Sequence, residues 1–192
     1  MTDIDDLIAA LGSGVPVVIP TDTVYGVAVD LAAAGAVQKL FDLKGRPADQ
    51  PVPVLGPDIP ALRRVVEFDP RAELLAERFW PGPLTLVLPR ARGFTTDLGG
   101  DAAGGVAVRI PAHDVALSVL RASGPLAVTS ANRSGEPPAT TIDEARAYLG
   151  TGVGAFLDSG VCNGTPSSVV SLLDGIEMVR EGPVSLADIE GV

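Results

Sequence analysis

Histidine and cysteine are nearly missing from this chain: His113 and Cys162 are the only ones in 192 residues. A single thiol cannot close an internal disulfide, and one thiol with one imidazole falls short of the four ligands of a structural zinc site. Hydrolytic or metal chemistry would therefore fall to carboxylates, hydroxyls and a metal brought in by substrate. Aromatic residues are scarce at 4%, which removes the stacking platforms of a single-strand nucleic-acid binder. No apolar run approaches the roughly 20 residues of a membrane-spanning helix, and the acidic start Met1-Thr2-Asp3-Ile4-Asp5-Asp6 lacks the positive flank of a secretory signal. A cytoplasmic, reducing location with no membrane contact is the expectation. Lysine is also rare, with only Lys39 and Lys44, so arginine supplies twelve of the fourteen cations. The net charge of -10 argues against a surface devoted to nucleic acid but leaves room for a local basic site.

Hydrophobic residues make up 46% of the chain, enough for one domain with a sizeable core. Short apolar runs alternate with helical patterns, and no repeat or low-complexity linker interrupts them. Asp3 is placed to cap a helix reaching about Leu11. Residues 15–19 and 24–29 read as strands, and residues 33–43 as a helix with an apolar stripe of Ala36, Val37, Leu40 and Phe41. Residues 52–55 read as a short strand in which Pro53 suits a sheet edge or a strand end. Short helices follow near residues 59–66 and 71–79. Residues 84–88, 106–110 and 126–129 are continuous apolar runs of the kind covered on both faces, with helices at 114–122 and 142–149 as cover. Residues 155–157, 168–172 and 177–180 bring the strand candidates to eight or nine. Several joins are too short for a helical crossover, so the expected fold is a single α/β domain spanning residues 1–192, a twisted mixed sheet with helices on both sides.

Four stretches carry candidate chemistry. Lys44-Gly45-Arg46-Pro47 sets two cations two residues apart where a helix gives way to a proline-rich loop. Gly45 and Pro47 stop the helix, so both side chains are expected to leave irregular backbone as an anion clamp, not core. Pro20-Thr21-Asp22-Thr23-Val24-Tyr25-Gly26 packs hydroxyls, a carboxylate and a phenol between two strands, and reads equally as a turn or a polar pocket. Leu126-Ala127-Val128-Thr129-Ser130-Ala131-Asn132 ends an apolar strand abruptly in polar residues, at the place where open α/β sheets collect ligands. Arg109 interrupts an apolar strand, and a buried arginine requires an internal carboxylate or an anionic ligand. Trp80 reads as core packing and His113 as a helix-start residue near the surface, while Cys162 has no assigned role.

With Trp80-Pro81-Gly82-Pro83-Leu84-Thr85, Ser167-Ser168-Val169-Val170 and a late Arg180-Glu181-Gly182, these motifs occur in the order seen in one family. The chain resembles the YrdC family of threonylcarbamoyl-adenylate synthases, from about Val15 to about Gly182. It is similar to the short, single-domain bacterial type. Departures exist: Gln50-Pro51-Val52-Pro53 stands where an Asn-Pro-Leu is more usual, and Ser168 and Ser171 where Thr and Asp are common.

The resemblance implies a nucleotidyltransferase reaction of L-threonine, bicarbonate and ATP, with Mg carried by the ATP and none held by the protein. It also implies downstream threonylcarbamoyl-transfer proteins and, indirectly, tRNA. Residue by residue it implies catalysis by Lys44 and Arg46; ATP binding by Lys44, Arg46, Ser130, Ala131, Asn132 and Arg180; and threonine binding by Thr21 or Thr23, Arg109, Thr129 and Ser168. Two rivals stand beside it: a non-catalytic RNA-binding or ribosome-associated module of the same fold, and the related domain of hydrogenase-maturation carbamoyltransferases. The first is opposed by charge and aromatic content, the second by the single cysteine.

Overall fold

The computed structural model describes residues 4–100, 105–162 and 164–192, and the helix cap expected at Asp3 lies outside them. Among the described residues nine strands follow one another: β1 (Val17–Ile19), β2 (Gly26–Asp30), β3 (Val54–Leu55), β4 (Leu84–Leu88), β5 (Val106–Arg109), β6 (Leu126–Ser130), β7 (Ala155–Phe156), β8 (Ser168–Ser171) and β9 (Glu177–Arg180). They join one sheet in the order β7-β1-β2-β6-β3-β5-β4-β8-β9. The sheet is mixed, as expected: β1/β7, β3/β5 and β4/β8 are parallel and the other pairs antiparallel.

Strand β3 departs from expectation. It lies in the middle of the sheet, paired with β5 on one side and β6 on the other. Pro53 is tolerated because it precedes the strand, and its carbonyl still accepts from the Val128 N–H at 2.9 Å. A strand end was the correct half of that reading, and a sheet edge the incorrect half.

Helices α1 (Ile4–Gly12) and α5 (Asp114–Ser123) pack on one face of the sheet, where Leu7, Leu11, Val119 and Leu120 meet Val17, Ile19 and Ala28. Helices α2 (Ala36–Lys44), α3 (Ile59–Leu62), α4 (Pro70–Phe79) and α6 (Ile142–Leu149) pack against a larger core that contains Val27, Val29, Leu84, Leu86 and Val108. A short α7 (Leu186–Glu190) seats Ile189 on it as well. Helix α2 starts at Ala36, where its apolar stripe begins and three residues later than the expected start at residue 33, because Gly35 turns the chain with φ of 72°. Asp58 and Asp69 cap α3 and α4, each accepting from the N–H three residues on and each ahead of a first-turn proline. His113 caps α5 through Nδ1, half-buried. Trp80 packs against the core, its ring edge-on to Phe68 and its Nε1 donating to the Leu84 carbonyl at 2.6 Å. Among the described residues no helix is long and apolar enough to cross a membrane.

Cover is unequal along the sheet, and this positions the site. Leu86, Val108 and Val170 are fully buried beneath the larger core, yet their neighbours Val87, Ala107 and Val169, which face the other way, are only half-buried. The apolar runs of β4 and β5 are therefore covered on one face only, contrary to the sequence reading. The open face of the central strands is the floor of a cleft.

Candidate functional site

The cleft has a volume of about 520 Å³, within the range of small-molecule sites. Leu55, Val87, Ala107, Val128 and Val169 form an apolar floor, with hydroxyls of Thr21, Thr23, Thr85, Thr129, Ser130 and Ser167 around it. Three arginines line it, Arg46, Arg109 and Arg180, and among the described residues no carboxylate does. In a protein of net charge -10, this is a positive hollow in an acidic body. It lies on the sheet face as well as at the tip of β6, and so extends beyond the strand-end placement expected from sequence. Gly26 is required in the wall: a Cβ there would meet Val128 Cγ1 at 2.6 Å.

Each arginine is held by protein oxygens. Arg46 donates from Nε to the Gln50 carbonyl at 2.9 Å and from Nη2 to the Pro51 carbonyl at 3.0 Å. Arg180 donates from Nε and Nη2 to the Ser167 carbonyl at 3.0 and 2.8 Å, and from Nη2 to the Ser167 hydroxyl at 3.2 Å. Arg109 donates from Nε to the Gly82 carbonyl at 2.9 Å and from Nη1 to Thr23 Oγ1 at 3.1 Å, and its Nη2 pairs with Asp22. The buried arginine thus has the internal carboxylate that its burial demands. Three of its five N–H groups have partners among the described residues, and the others are available to an oxyanion. Burial lowers the pKa of all three guanidiniums from its ordinary value, but each remains a cation at neutral pH.

Thr21 and Thr23 both line the cleft but differ in the hydrogen bonds they make within the fold. Thr21 Oγ1 donates to the Val24 carbonyl at 2.6 Å and accepts from the N–H groups of Thr23 and Val24, both at 3.2 Å. One proton and two lone pairs are then committed to the turn. Thr23 Oγ1 accepts from Arg109 at 3.1 Å and lies 3.0 Å from Thr21 Oγ1, which leaves it one lone pair uncommitted. The Tyr25 phenol, grouped with these hydroxyls in the sequence reading, instead binds the segment after β7. It donates to the Gly160 carbonyl at 2.7 Å, with Asp158 Oδ1 at 3.1 Å, and burial pushes its pKa up to about 12.

Lys44 differs most from expectation. It is the last residue of α2, which Gly45 ends in the left-handed conformation at φ 60°, with the Arg46 N–H returning to the Phe41 carbonyl at 3.0 Å. It does not project from a loop: it is 3% exposed. Its Nζ donates to the carbonyls of Ser130 and Asn132 at 2.5 and 2.6 Å and to Asn132 Oδ1 at 3.1 Å. The ammonium has three donors, and all three are taken. Burial first, then the charge of Arg46, lowers its pKa from 10.5 to about 7. Its three acceptor oxygens favour the charged form and oppose that shift.

The motifs do converge, since Lys44 touches the tip of β6 at Ser130 and Asn132. Three further residues lie elsewhere than expected. Ala131 and Asn132, expected on the nucleotide side, are 0% and 6% exposed behind the wall, where Asn132 accepts from Lys44 and donates to the Glu136 carbonyl at 2.5 Å. Ser168, expected to read threonine, is fully buried: its hydroxyl donates to the Val184 carbonyl at 2.6 Å and accepts the Val184 N–H at 2.9 Å. Its neighbour Ser167 faces the cleft instead, 2.8 Å from Thr85 Oγ1. Ser167, Thr85 and Asp22 were not among the assigned site residues. The usable signal for Ser167 was its two-residue phase with Val169 on the open face of β8; for Asp22 it was the need of Arg109 for a partner.

Comparison with known proteins identifies the family and the fold. A Sua5/YciO/YrdC model, whose description reads "Telomere recombination", matches residues 9–182. The chain belongs to the Sua5/YciO/YrdC family. Within that family, a Mycobacterium leprae relative is 44% identical over 96% of this chain and 85% of its own length. The Idiomarina loihiensis threonylcarbamoyl-AMP synthase is 37% identical over 86% of this chain and 91% of its own. The structure of Pyrococcus abyssi Sua5 complexed with L-threonine superposes with a TM-score of 0.92 at 35% identity, covering 98% of this chain. This chain spans 56% of that protein's length.

Proposed function

We propose that this protein is a threonylcarbamoyl-AMP synthase, making its product from L-threonine, bicarbonate and ATP with release of pyrophosphate. The observation that carries the reading is the cleft of three oriented arginines, with no lining carboxylate among the described residues and hydroxyls around an apolar floor. Every reactant carries an anionic group, and the nucleophile of the second step is itself a carboxylate, so like-charge repulsion opposes their encounter. The threonine amine and bicarbonate combine, with loss of water, into an N-carboxylate. One of its oxygens attacks the α-phosphorus of ATP, and the bond to the bridging oxygen breaks so that pyrophosphate departs.

The protein supplies position and charge for this displacement, with no enzyme nucleophile. Arg109 takes the amino acid's carboxylate on its open N–H groups, and Thr23, Ser167 and Thr129 surround the remainder of the threonine. Arg46 and Arg180 hold phosphate oxygens, and donors set in advance at developing charge are worth several kcal/mol each in a water-poor site. Lys44 acts from behind, tying Ser130 to the end of α2. Magnesium enters as part of the ATP substrate, bound to its phosphates. Hydrogen bonds to the threonine hydroxyl disfavour valine, which would leave those groups unpaired. We further assign the product to transfer proteins that modify position 37 of tRNA, and place the enzyme in the cytoplasm with them.

The test is pyrophosphate release by the purified protein in the presence of ATP, magnesium, bicarbonate and L-threonine. Release is expected only with all four present, and release independent of threonine, or none at all, defeats the assignment.

A further inference from the structure

The three arginines of the cleft are not held alike. Arg46 and Arg180 are oriented by neutral oxygens, the Gln50 and Pro51 carbonyls for one and the carbonyl and hydroxyl of Ser167 for the other. Among the described residues Arg109 alone of the three is paired with a carboxylate. Asp22 does not line the cleft; it reaches Arg109 from the turn behind, in a pair whose side chains are 14% and 6% exposed. The charge of Arg180 opposes that of Arg109, and Asp22 offsets it.

We propose that Asp22 is a positioning residue that divides the cleft by charge, cancelling Arg109 so that this end takes a zwitterionic amino acid while Arg46 and Arg180 remain uncompensated for polyphosphate. The proposal deepens, and rests on, the functional reading above. A polyanion settles where the potential is most positive. An arginine already matched by a carboxylate keeps its directed N–H donors but offers little net field, so it suits a ligand whose own charges sum to zero. Without Asp22 all three guanidiniums would attract phosphate alike, and the two reactants could occupy each other's ends. Asp22 also acts geometrically: with Gly82 on Nε and Thr23 on Nη1, it fixes the plane of the guanidinium from a third side.

The experiment is calorimetric binding of L-threonine to the whole protein, repeated with inorganic pyrophosphate as competitor, for the wild type, Asp22→Asn and Asp22→Glu. The wild type is expected to bind threonine with little interference from pyrophosphate. Asp22→Asn is expected to bind threonine about tenfold more weakly, the loss from one disturbed charge-assisted hydrogen bond. In that variant pyrophosphate should become an effective competitor. Asp22→Glu, which keeps the charge but moves it by a methylene, should weaken threonine without inviting pyrophosphate. Should Asp22→Asn fail to fold, the wild type alone decides: it should prefer L-threonine over 2,3-dihydroxybutanoate, which replaces the ammonium with a hydroxyl and carries a net negative charge. Equal or tighter binding of that anion overturns the proposal, as does an Asp22→Asn variant that loses thermal stability and threonine affinity with no gain in pyrophosphate competition. Absence of threonine binding in the wild type overturns the functional reading as well.

Discussion

Lys44 and Arg46 are two residues apart and carry the same charge, yet the fold uses them in opposite ways. Lys44 is 3% exposed, and its ammonium is enclosed by three oxygens from the tip of β6. Arg46, beyond the Gly45 turn, lies against the Gln50 and Pro51 carbonyls and faces the cleft. The first holds two segments of the protein together; the second faces the ligand. A sequence motif of two cations thus need not be one clamp, because a helix end directs consecutive side chains to different surroundings.

Lys44→Ala is the most disruptive way to test that contrast. It leaves two carbonyls and a side-chain amide oxygen without a donor in a buried site, and a loss of about 3 kcal/mol in unfolding free energy is expected. Denaturant unfolding measures it, and the variant should lose turnover along with stability. The same residue gives a pH signature. Its pKa of about 7 in the folded protein lies below its ordinary 10.5. Below about 7 both states hold the proton and the cost of burying it is fully present; between about 7 and 10.5 the unfolded chain holds more protons, so stability should rise with pH. Lys44→Met should flatten that rise, and a wild type whose stability is level across the window would contradict this account of Lys44.

Arg46→Ala should be the mirror image. A fall in turnover of about 100-fold is expected for one lost charge-stabilising donor, with stability within about 0.5 kcal/mol of the wild type. Pyrophosphate release and thermal melting, measured together, would sharpen the comparison or erase it.

Ser167 and Ser168 repeat the division on a smaller scale. Ser168→Ala removes two hydrogen bonds to Val184 and should cost about 1 to 2 kcal/mol of stability, with threonine affinity nearly unchanged. Ser167→Ala should do the reverse, raising the KM for threonine at little cost in stability. Equal behaviour of the two serines would mean that the face of β8 has been misassigned.

Much of the architecture was legible because its causes are local. Residues 84–88 and 142–149 have the bounds expected of them, since apolar continuity and helical periodicity act within a few residues. The central position of β3 was not legible: two residues beside a proline look like an edge, and only their pairing with both Ala127 and Val108 shows otherwise. Nor was the open face of β4 and β5. An apolar run is written the same way whether a helix or a ligand cleft lies over it.

The amino-acid order alone determined the set of reactive groups: cations at 44, 46, 109 and 180, hydroxyls at 21, 23, 129 and 167, and almost no histidine or cysteine. Those are properties of composition and short-range spacing, which need no partner to be read. Tertiary structure decided which groups face the cleft and which are consumed inside the protein. Asp22 meets Arg109 across 87 positions and Lys44 meets Asn132 across 88. The physical reason is that hydrogen-bond capacity is finite: a hydroxyl or ammonium whose donors are all satisfied by the fold has none left for substrate, and only the folded neighbourhood determines that count.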